Sequence, residues 1–297
     1  MTFPTLKVLS AAAAVSALTL GSGAAQESGE SSVRVSHRAR ALAPGEVVVL
    51  SAGGPVPFAN VEGTALGRDV VFVRGDRPEI WRAVIGIDLD VEPGVYEVEV
   101  SATGEDGRAT AARHVLEVQA KAFPTRRLSV DPRFVTPPAE VEARIVEEAR
   151  LMSDALARST PRQLWEGPFA APVPGAPNSS FGTRSVFNGQ PRSPHTGADY
   201  PVGTGTPVAA PANGTVVLAR DLYFAGNTVV VDHGVGVFSL FAHLSRIGVS
   251  EGQSVSPGDV LGLVGATGRV TGPHLHWAIR VQGARVDPLS LLEALAE

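Results

Sequence analysis

The segment Thr271-Gly-Pro-His274-Leu275-His276-Trp-Ala-Ile-Arg-Val281 carries the most informative pattern in the chain. Its apolar residues after the histidines are typical of a strand. Alternate side chains of a strand share one face, so His274 and His276 point the same way, about 6–7 Å apart. Leu275 points into the opposite, apolar layer. Two imidazoles in this arrangement can bind one metal ion together, or one can bind it while the other hydrogen-bonds a water on that ion.

A second pattern, His195-Thr-Gly-Ala-Asp199, lies upstream. The proline before it and the glycine within it argue against a helix and favour a turn that enters a strand. This short link brings a nitrogen and an oxygen ligand together. A catalytic zinc site needs three protein ligands and one open position, which two histidines and an aspartate supply. Spacing leaves open which of His274 and His276 is the third ligand. The other one, and His243, are imidazoles available for proton transfer.

Strand patterns continue on both sides of these motifs. From about residue 175 onward, short apolar runs at 215–219, 227–232, 237–242 and 260–264 predict further strands. Between residues 33 and 120, six or seven short strands separated by Pro-Gly and Gly-rich turns predict a small antiparallel sandwich, immunoglobulin-like in outline. His37 and His114 are isolated there and are interpreted as ordinary strand histidines. The fold class is therefore mainly β.

One connecting helix is predicted between the two β regions. Thr136 is a suitable N-cap and Pro137 a suitable first helical residue. Apolar residues follow at helical spacing, and we expect the helix to pack between the two domains. The predicted organisation is a signal peptide at 1–25, a β-sandwich domain at 26–120, a linker with the helix at 121–176 and a C-terminal domain at 177–297.

Composition excludes several classes of function. The 297 residues carry a formal net charge of -5 with no basic run, so there is no electrostatic footprint for nucleic acid. Cysteine is absent, which excludes disulfides, thiolate zinc sites and a cysteine nucleophile. Any metal must therefore be held by histidines and carboxylates. Oligomeric state is not visible in the sequence.

The first residues have the pattern of a secretory signal. Lys7 precedes an apolar run that ends at Leu20, and Gly23-Ala-Ala25 fits the small-x-small rule for cleavage, with a mature start near Gln26. The run is shorter than the roughly 20 apolar residues of a spanning helix, which favours cleavage over a membrane anchor. No later segment is apolar enough to span a membrane. We therefore expect an exported protein, periplasmic or extracellular.

The motifs together resemble the lysostaphin-type zinc metallopeptidases, a family of bacterial cell-wall endopeptidases. The resemblance covers about Phe181 to Leu291, and order and spacing agree throughout. The motifs that carry it are His195-x-x-x-Asp199, Gly205-Thr-Pro-Val208, Asp232-His233-Gly234, Ala242-His243-Leu244, Gly265-Ala-Thr-Gly268 and Thr271-Gly-Pro-His274-Leu-His276.

The resemblance implies a role for each histidine of the pattern. His195, Asp199 and His276 are the implied zinc ligands, and His243 and His274 are the implied non-ligand pair around the water and the transition-state oxyanion. The implied fold of this region is a compact antiparallel β domain with a groove across one sheet. The implied reaction is hydrolysis of a peptide bond in the stem or cross-bridge peptides of peptidoglycan, the expected partner.

Two polar residues precede the first implied ligand, as similar residues do in close relatives. Arg184 and Asn188 either line the groove and bind substrate or have a structural role in a turn. His233 lies in a turn and is interpreted as structural. Two other functions remain open: a catalytically idle or latent wall-binding activator of other cell-wall hydrolases, and a metallopeptidase that acts on a secreted protein.

Overall fold

A computed structural model describes residues 32–75, 77–129, 137–178 and 181–296. Most of their regular structure is strand in antiparallel sheets, which confirms the predicted mainly β fold class. The predicted signal peptide, the mature start at Gln26 and the helix cap at Thr136 lie outside the described residues. Within the described ranges, neither α-helix is long and apolar enough to cross a bilayer.

The first eight strands form two four-stranded antiparallel sheets. Their bounds are β1 (Arg34–Ala39), β2 (Val47–Gly53), β3 (Phe58–Ala65), β4 (Arg68–Val71), β5 (Val73–Arg74), β6 (Ile80–Gly86), β7 (Gly94–Gly104) and β8 (Ala109–Val118). The orders β1-β2-β6-β5 and β4-β3-β7-β8 match the ABED and C′CFG sheets of an immunoglobulin-like sandwich. On β7, buried Val98 and Val100 alternate with exposed glutamates, and they share a core with Val48 and Leu50 of β2.

A small sheet links the connecting segment to the C-terminal region. Strand β9 (Thr125–Leu128) pairs in parallel with β10 (Arg184–Phe187), which pairs in antiparallel with β11 (Gln190–Pro191). The aromatic ring of Phe123, just before β9, lies edge-on to Phe181, with ring centroids 6.4 Å apart. The segment that leads to the first candidate ligand is therefore braced by the linker.

The remaining strands form a nine-stranded antiparallel sheet. They are β12 (Gly197–Tyr200), β13 (Pro207–Ala209), β14 (Gly214–Leu222), β15 (Gly226–Asp232), β16 (Val237–Ile247), β17 (Ser254–Val255), β18 (Val260–Val264), β19 (Leu275–Val281) and β20 (Ala284–Val286), followed by helix α2 (Pro288–Ala294). The main order is β12-β19-β16-β15-β14-β17. Trp277 of β19 is fully buried and stacks on Phe241 of β16 at 6.5 Å, in the core of this sheet.

The connecting helix differs from its prediction in two respects. It is α1 (Glu142–Ala157), preceded by a 3-10 turn at Ala139–Val141, and so it begins later than the predicted Pro137. The reason is Pro138, which has an extended ψ of 148° and whose ring also disfavours a helical conformation of the residue before it. Instead of lying between the domains, α1 packs on the C-terminal sheet, where Met152 and Leu156 contact the cluster formed by Leu218, Leu222, Val230 and Phe238.

The sandwich and the C-terminal sheet share buried surface. Val47, Val49 and Val84 of the sandwich belong to the same apolar cluster as the C-terminal core. Beside it, the Arg285 guanidinium group forms an ion pair with Asp88, and the Arg285 backbone N–H donates to the same carboxylate at 2.7 Å. The predicted domain boundaries at residues 120 and 176 stay a prediction.

Candidate metal centre

Two neighbouring strands hold the centre of the site. In the antiparallel pair β12–β19, Asp199 lies directly opposite His276, so their side chains share a face. His195 lies two residues before β12. Its backbone is fixed from both sides, since its N–H donates to the Thr183 carbonyl at 2.9 Å and its carbonyl accepts from the Gly182 N–H at 2.7 Å. The pairing of β12 with β19 and the backbone hydrogen bonds of His195 bring three metal-binding side chains to one point.

The three side chains converge atom by atom. Asp199 Oδ1 lies 3.0 Å from His195 Nε2 and 3.0 Å from His276 Nδ1, and the two nitrogens lie 3.0 Å apart. Three ligands about 2.1 Å from one tetrahedral zinc ion would stand roughly 3.4 Å apart. These three atoms form the metal triangle, and they lie slightly closer together than the ligand atoms of a zinc-loaded site. Among the described residues these three form a group able to hold a metal ion.

The charge of Asp199 follows from its partners. Burial opposes ionisation, but hydrogen bonds from His195 and His276 outweigh it and hold the pKa of Asp199 well below its usual range. Burial also lowers the pKa of His276, although Asp199 partly offsets this effect. A carboxylate and a neutral imidazole are the forms that bind metal.

A glycine is required under the ring of His276. A Cβ on Gly197 would lie 2.5 Å from the Trp277 carbonyl oxygen and 2.7 Å from His276 Cε1. The ring of His276 therefore packs directly on the backbone of the opposite strand. No other residue leaves that space open without displacing the ring.

His243 and His274 form a second pair beside the triangle, with ring centroids 4.9 Å apart. Nδ1 of His243 lies 3.0 Å from the Thr267 carbonyl, and Nδ1 of His274 lies 2.9 Å from the Gly272 carbonyl. A carbonyl only accepts, so in the neutral form of either ring the proton sits on Nδ1 and Nε2 keeps its lone pair. His274 Nε2 is 3.9 Å from Asp199 Oδ1, next to the triangle.

The backbone at His243 is unusual. Its φ of 63° places a non-glycine residue in the left-handed region inside β16, where the pairing with β15 also shifts register. Its N–H donates to the Ala225 carbonyl at 2.9 Å. Burial, and then the neighbouring His276, lower the pKa of His243 to about 4, so the ring is neutral near pH 7. The site therefore holds one uncharged imidazole with a fixed orientation.

Thr267 supports this arrangement from the loop before β19. Its hydroxyl donates to the Leu244 carbonyl at 2.7 Å and accepts from the Asn227 N–H at 2.9 Å. Because the carbonyl of Thr267 is the acceptor for His243, this loop fixes the direction of that ring.

The two predicted substrate-binding residues lie outside the triangle. Arg184 is exposed at the start of β10. Asn188, with φ of 49°, and Gly189, with φ of 82°, form the two-residue turn between β10 and β11. Asn188 thus has a structural role in a hairpin, and a role of either residue in binding substrate stays a prediction.

The other histidines lie apart from this centre. His233 is fully buried, with Nδ1 at 2.7 Å from the Asn213 carbonyl and Nε2 at 2.9 Å from the Ser239 hydroxyl, which fits its structural interpretation. His37 and His114 are not isolated, contrary to expectation, because β1 and β8, the edge strands of the two sandwich sheets, bring their Nδ1 and Nε2 atoms to 2.6 Å. Their positions, 77 residues apart, gave no signal of this contact.

The fold and the site together have the form of a metallopeptidase centre, and comparison with known proteins agrees. Residues 193–288 match the model of peptidase family M23. A crystal structure from Pseudomonas aeruginosa assigned to peptidase M23 aligns at 35% identity over 85% of this chain and 96% of its own, with a TM-score of 0.65. The chain therefore belongs to peptidase family M23, which confirms the family resemblance found in the sequence.

Two curated relatives share the C-terminal region. The peptidoglycan DD-endopeptidase ShyA of Vibrio cholerae is 46% identical over 97 residues, 33% of this chain and 23% of its own. The DD-carboxypeptidase/endopeptidase Mpg of Neisseria meningitidis is also 46% identical over 97 residues, 33% of this chain and 22% of its own. The chain thus matches less than a quarter of the length of either relative.

Proposed function

We propose that this protein is an exported zinc-dependent endopeptidase that hydrolyses peptide bonds in the stem or cross-bridge peptides of peptidoglycan. One observation carries the proposal. Ligand atoms of His195, Asp199 and His276 converge within 3.0 Å of one another, beside two further imidazoles that are held by backbone carbonyls. Membership of peptidase family M23 and relatives named as peptidoglycan peptidases support it.

The donor set fits zinc. Two imidazole nitrogens and one carboxylate oxygen are the ligands of many catalytic zinc sites, and they leave one position open. His195, Asp199 and His276 would hold the ion. When bound there, zinc supplies a Lewis acid that polarises the scissile carbonyl and lowers the pKa of a water molecule.

His243 and His274 transfer a proton and stabilise the negative charge that develops in the reaction. The Nε2 lone pair of His274 or His243 accepts the proton of the attacking water, and the amine nitrogen of the leaving group takes up that proton as the C–N bond breaks. The same nitrogen, once protonated, donates a hydrogen bond to the carbonyl oxygen as negative charge develops on it. The carbonyls of Thr267 and Gly272 hold the two rings in place, so this step needs no rearrangement of the site.

The names of the two relatives indicate which kind of peptide bond is cleaved. Both are described as acting on DD bonds, and we propose that this chain also cleaves a peptide bond between two D-centres. A substrate in the cell wall requires export, in agreement with the predicted signal peptide. Four side chains of the centre are between 18% and 23% exposed: His195, Asp199, His274 and His276. In the part of the chain that the structure describes, the centre is therefore accessible to a peptide.

The test uses purified sacculi and mass spectrometry. Zinc-loaded wild type should release fragments with new peptide termini that name the bond, and a zinc chelator should abolish them. His276→Ala should bind no zinc and release nothing, whereas His37→Ala, which changes an exposed histidine of the sandwich, should behave as wild type. If zinc-loaded protein binds sacculi and releases no fragment, the proposed peptidase activity is wrong, and the result supports a catalytically idle activator. If an ordinary protein is cleaved as fast as peptidoglycan, the proposal that peptidoglycan is the substrate is wrong.

A further inference from the structure

His195 is the ligand of the metal triangle that lies outside the nine-stranded sheet. Asp199 of β12 and His276 of β19 face each other across a pair of strands. His195 precedes β12 by two residues, and its backbone is held instead by the segment before β10. The Gly182 N–H donates to the His195 carbonyl at 2.7 Å, and the His195 N–H donates to the Thr183 carbonyl at 2.9 Å. The position of His195 therefore depends on what fixes this segment.

The ring of Phe123, in the linker, packs directly on the Gly182 backbone. A Cβ on Gly182 would overlap Cδ1 and Cε1 of this ring, so no side chain fits between the two. Gly182 also has a φ of 76°, which favours glycine. Further along the same segment, the Arg184 N–H donates to the Pro124 carbonyl at 2.9 Å, and β10 then pairs with β9. The linker thus lies against the peptide group that bonds to His195.

The same ring is held from the side of the sandwich. Phe123 lies edge-on to buried Phe181, with ring centroids 6.4 Å apart. Phe181 in turn packs on Gly45, in the loop between β1 and β2, where a Cβ would overlap its ring. Two aromatic rings therefore fill the space between the sandwich and the segment that holds His195.

An ion-pair network fixes the start of the linker. Lys121 Nζ lies 2.7 Å from Oε1 of Glu46, which is buried in the structure, and 5.5 Å from the centre of the Phe123 ring. Arg40 pairs with the same carboxylate at 2.9 Å and with Asp287 at 2.9 Å. Burial opposes ionisation of Glu46, but hydrogen bonds from Arg40 and Lys121 outweigh it and lower its pKa. Because a buried carboxylate needs its partners, the network holds Lys121, and the residues that lead to Phe123, against the sandwich.

We propose that Phe123 is a positioning residue of the metal centre, through which the sandwich and the linker hold His195 where it can share a zinc ion with Asp199 and His276. The ring acts through the backbone: it keeps the Gly182 peptide in place, and this peptide keeps His195 in place. Distances from ligands to a metal are acceptable only within about 0.2 Å, so a small displacement of His195 is enough to weaken binding. The inference rests on the proposed zinc-dependent function and gives the sandwich a part in it.

The test measures zinc affinity of the full chain by competition with a chromogenic chelator, together with the visible absorption spectrum of the cobalt-substituted protein. Phe123→Ala should weaken zinc binding by about tenfold, the lower end of the range for residues that orient metal ligands. It should also change the cobalt bands, because these report the coordination geometry. Phe123→Leu, which refills much of the space, should restore most of the affinity. Lys121→Met should weaken zinc binding by less, since it removes the tie to Glu46 and keeps the ring.

The control is Phe72→Ala, which removes a buried ring from the core of the sandwich. This change should lower the free energy of unfolding at least as much as Phe123→Ala and leave zinc affinity unchanged. An equal loss of affinity in Phe72→Ala would overturn the proposal, because affinity would then follow stability alone. Wild-type affinity and cobalt bands in Phe123→Ala would also overturn it.

The remaining outcomes separate the role of the sandwich and the peptidase activity from the role of Phe123. Unchanged affinity in Lys121→Met would overturn the part assigned to the sandwich. Weaker zinc binding by Phe123→Ala that leucine reverses supports the positioning role, whether or not the wild type cleaves peptidoglycan. Absence of cleavage together with this order of affinities would refute only the proposed peptidase activity.

Discussion

Replacing Gly197 by alanine tests the packing on which the metal triangle depends. The added Cβ would lie 2.5 Å from the Trp277 carbonyl oxygen, 2.7 Å from His276 Cε1 and 2.9 Å from His276 Nε2. An unstrained carbon–carbon contact needs about 3.5 Å, so the imidazole must retreat by roughly 0.8 Å or the two strands must separate. Either movement changes the position of His276 relative to Asp199.

The expected effect has two parts. Overpacking of a well-packed position destabilises a protein by about 1–3 kcal/mol, and we expect a loss of that size in the free energy of unfolding. Distances from ligands to a metal are acceptable within about 0.2 Å, so a displacement of the ring by several times that amount should weaken zinc binding by at least about tenfold.

The matched control is Gly203→Ala, which makes the same chemical change shortly after β12. No atom lies within 4 Å of a Cβ built there. Zinc affinity is measured by competition with a chromogenic chelator, and stability by urea unfolding of the zinc-free proteins. If Gly197→Ala binds zinc as tightly as Gly203→Ala while both are folded, the ring of His276 is not fixed by this contact and the reasoning is wrong.

Three further predictions follow from other contacts. Glutamine at His243 or His274 should abolish peptide cleavage and leave one zinc per chain by elemental analysis, because neither ring belongs to the triangle; loss of zinc would contradict this. Burial lowers the pKa of His233 to about 4, below the unfolded value of about 6.5, so the unfolded state binds the extra proton. Stability should therefore fall by about 3 kcal/mol as the pH drops from 6.5 to 4, and His233→Asn should remove this part of the slope in urea titrations. Arg285→Ala should lower the free energy of unfolding by about 2–4 kcal/mol, because the half-buried Asp88 loses its partner. A double-mutant cycle with Asp88→Ala should show a coupling of about 1–3 kcal/mol, and additive losses would refute the pairing.

Much of the fold follows from local patterns. The apolar runs at 227–232 and 237–242 predicted strands that the structure contains as β15 and β16. The sandwich has eight strands where six or seven were predicted, and β3 has a weak pattern because Phe58–Ala65 has buried residues only at every third or fourth position. A Cβ on Gly63 of β3 would lie 2.6 Å from the Glu99 carbonyl oxygen of β7, so the need for a glycine there comes from a residue 36 positions away.

Contacts between distant segments could not be predicted from the sequence. The parallel pairing of β9 with β10 joins residues 59 positions apart and has no local signature. The placement of α1 on the C-terminal sheet has the same cause, since an amphipathic helix specifies only that an apolar face is buried and not which surface covers it.

The different environments of His274 and His276 show where local inference ends. The two-residue period of a strand places both side chains on one face, and spacing alone therefore treats them alike. The structure distinguishes them by their hydrogen bonds. His274 lies just before β19, where the Gly272 carbonyl of the preceding turn takes its Nδ1 proton and directs Nε2 toward the site. His276 lies within the strand opposite Asp199, and its own Nδ1 faces that carboxylate at 3.0 Å. A turn carbonyl and a cross-strand carboxylate thus give two identical residues different nitrogens to offer, and we infer that this difference divides the tasks of proton transfer and metal binding.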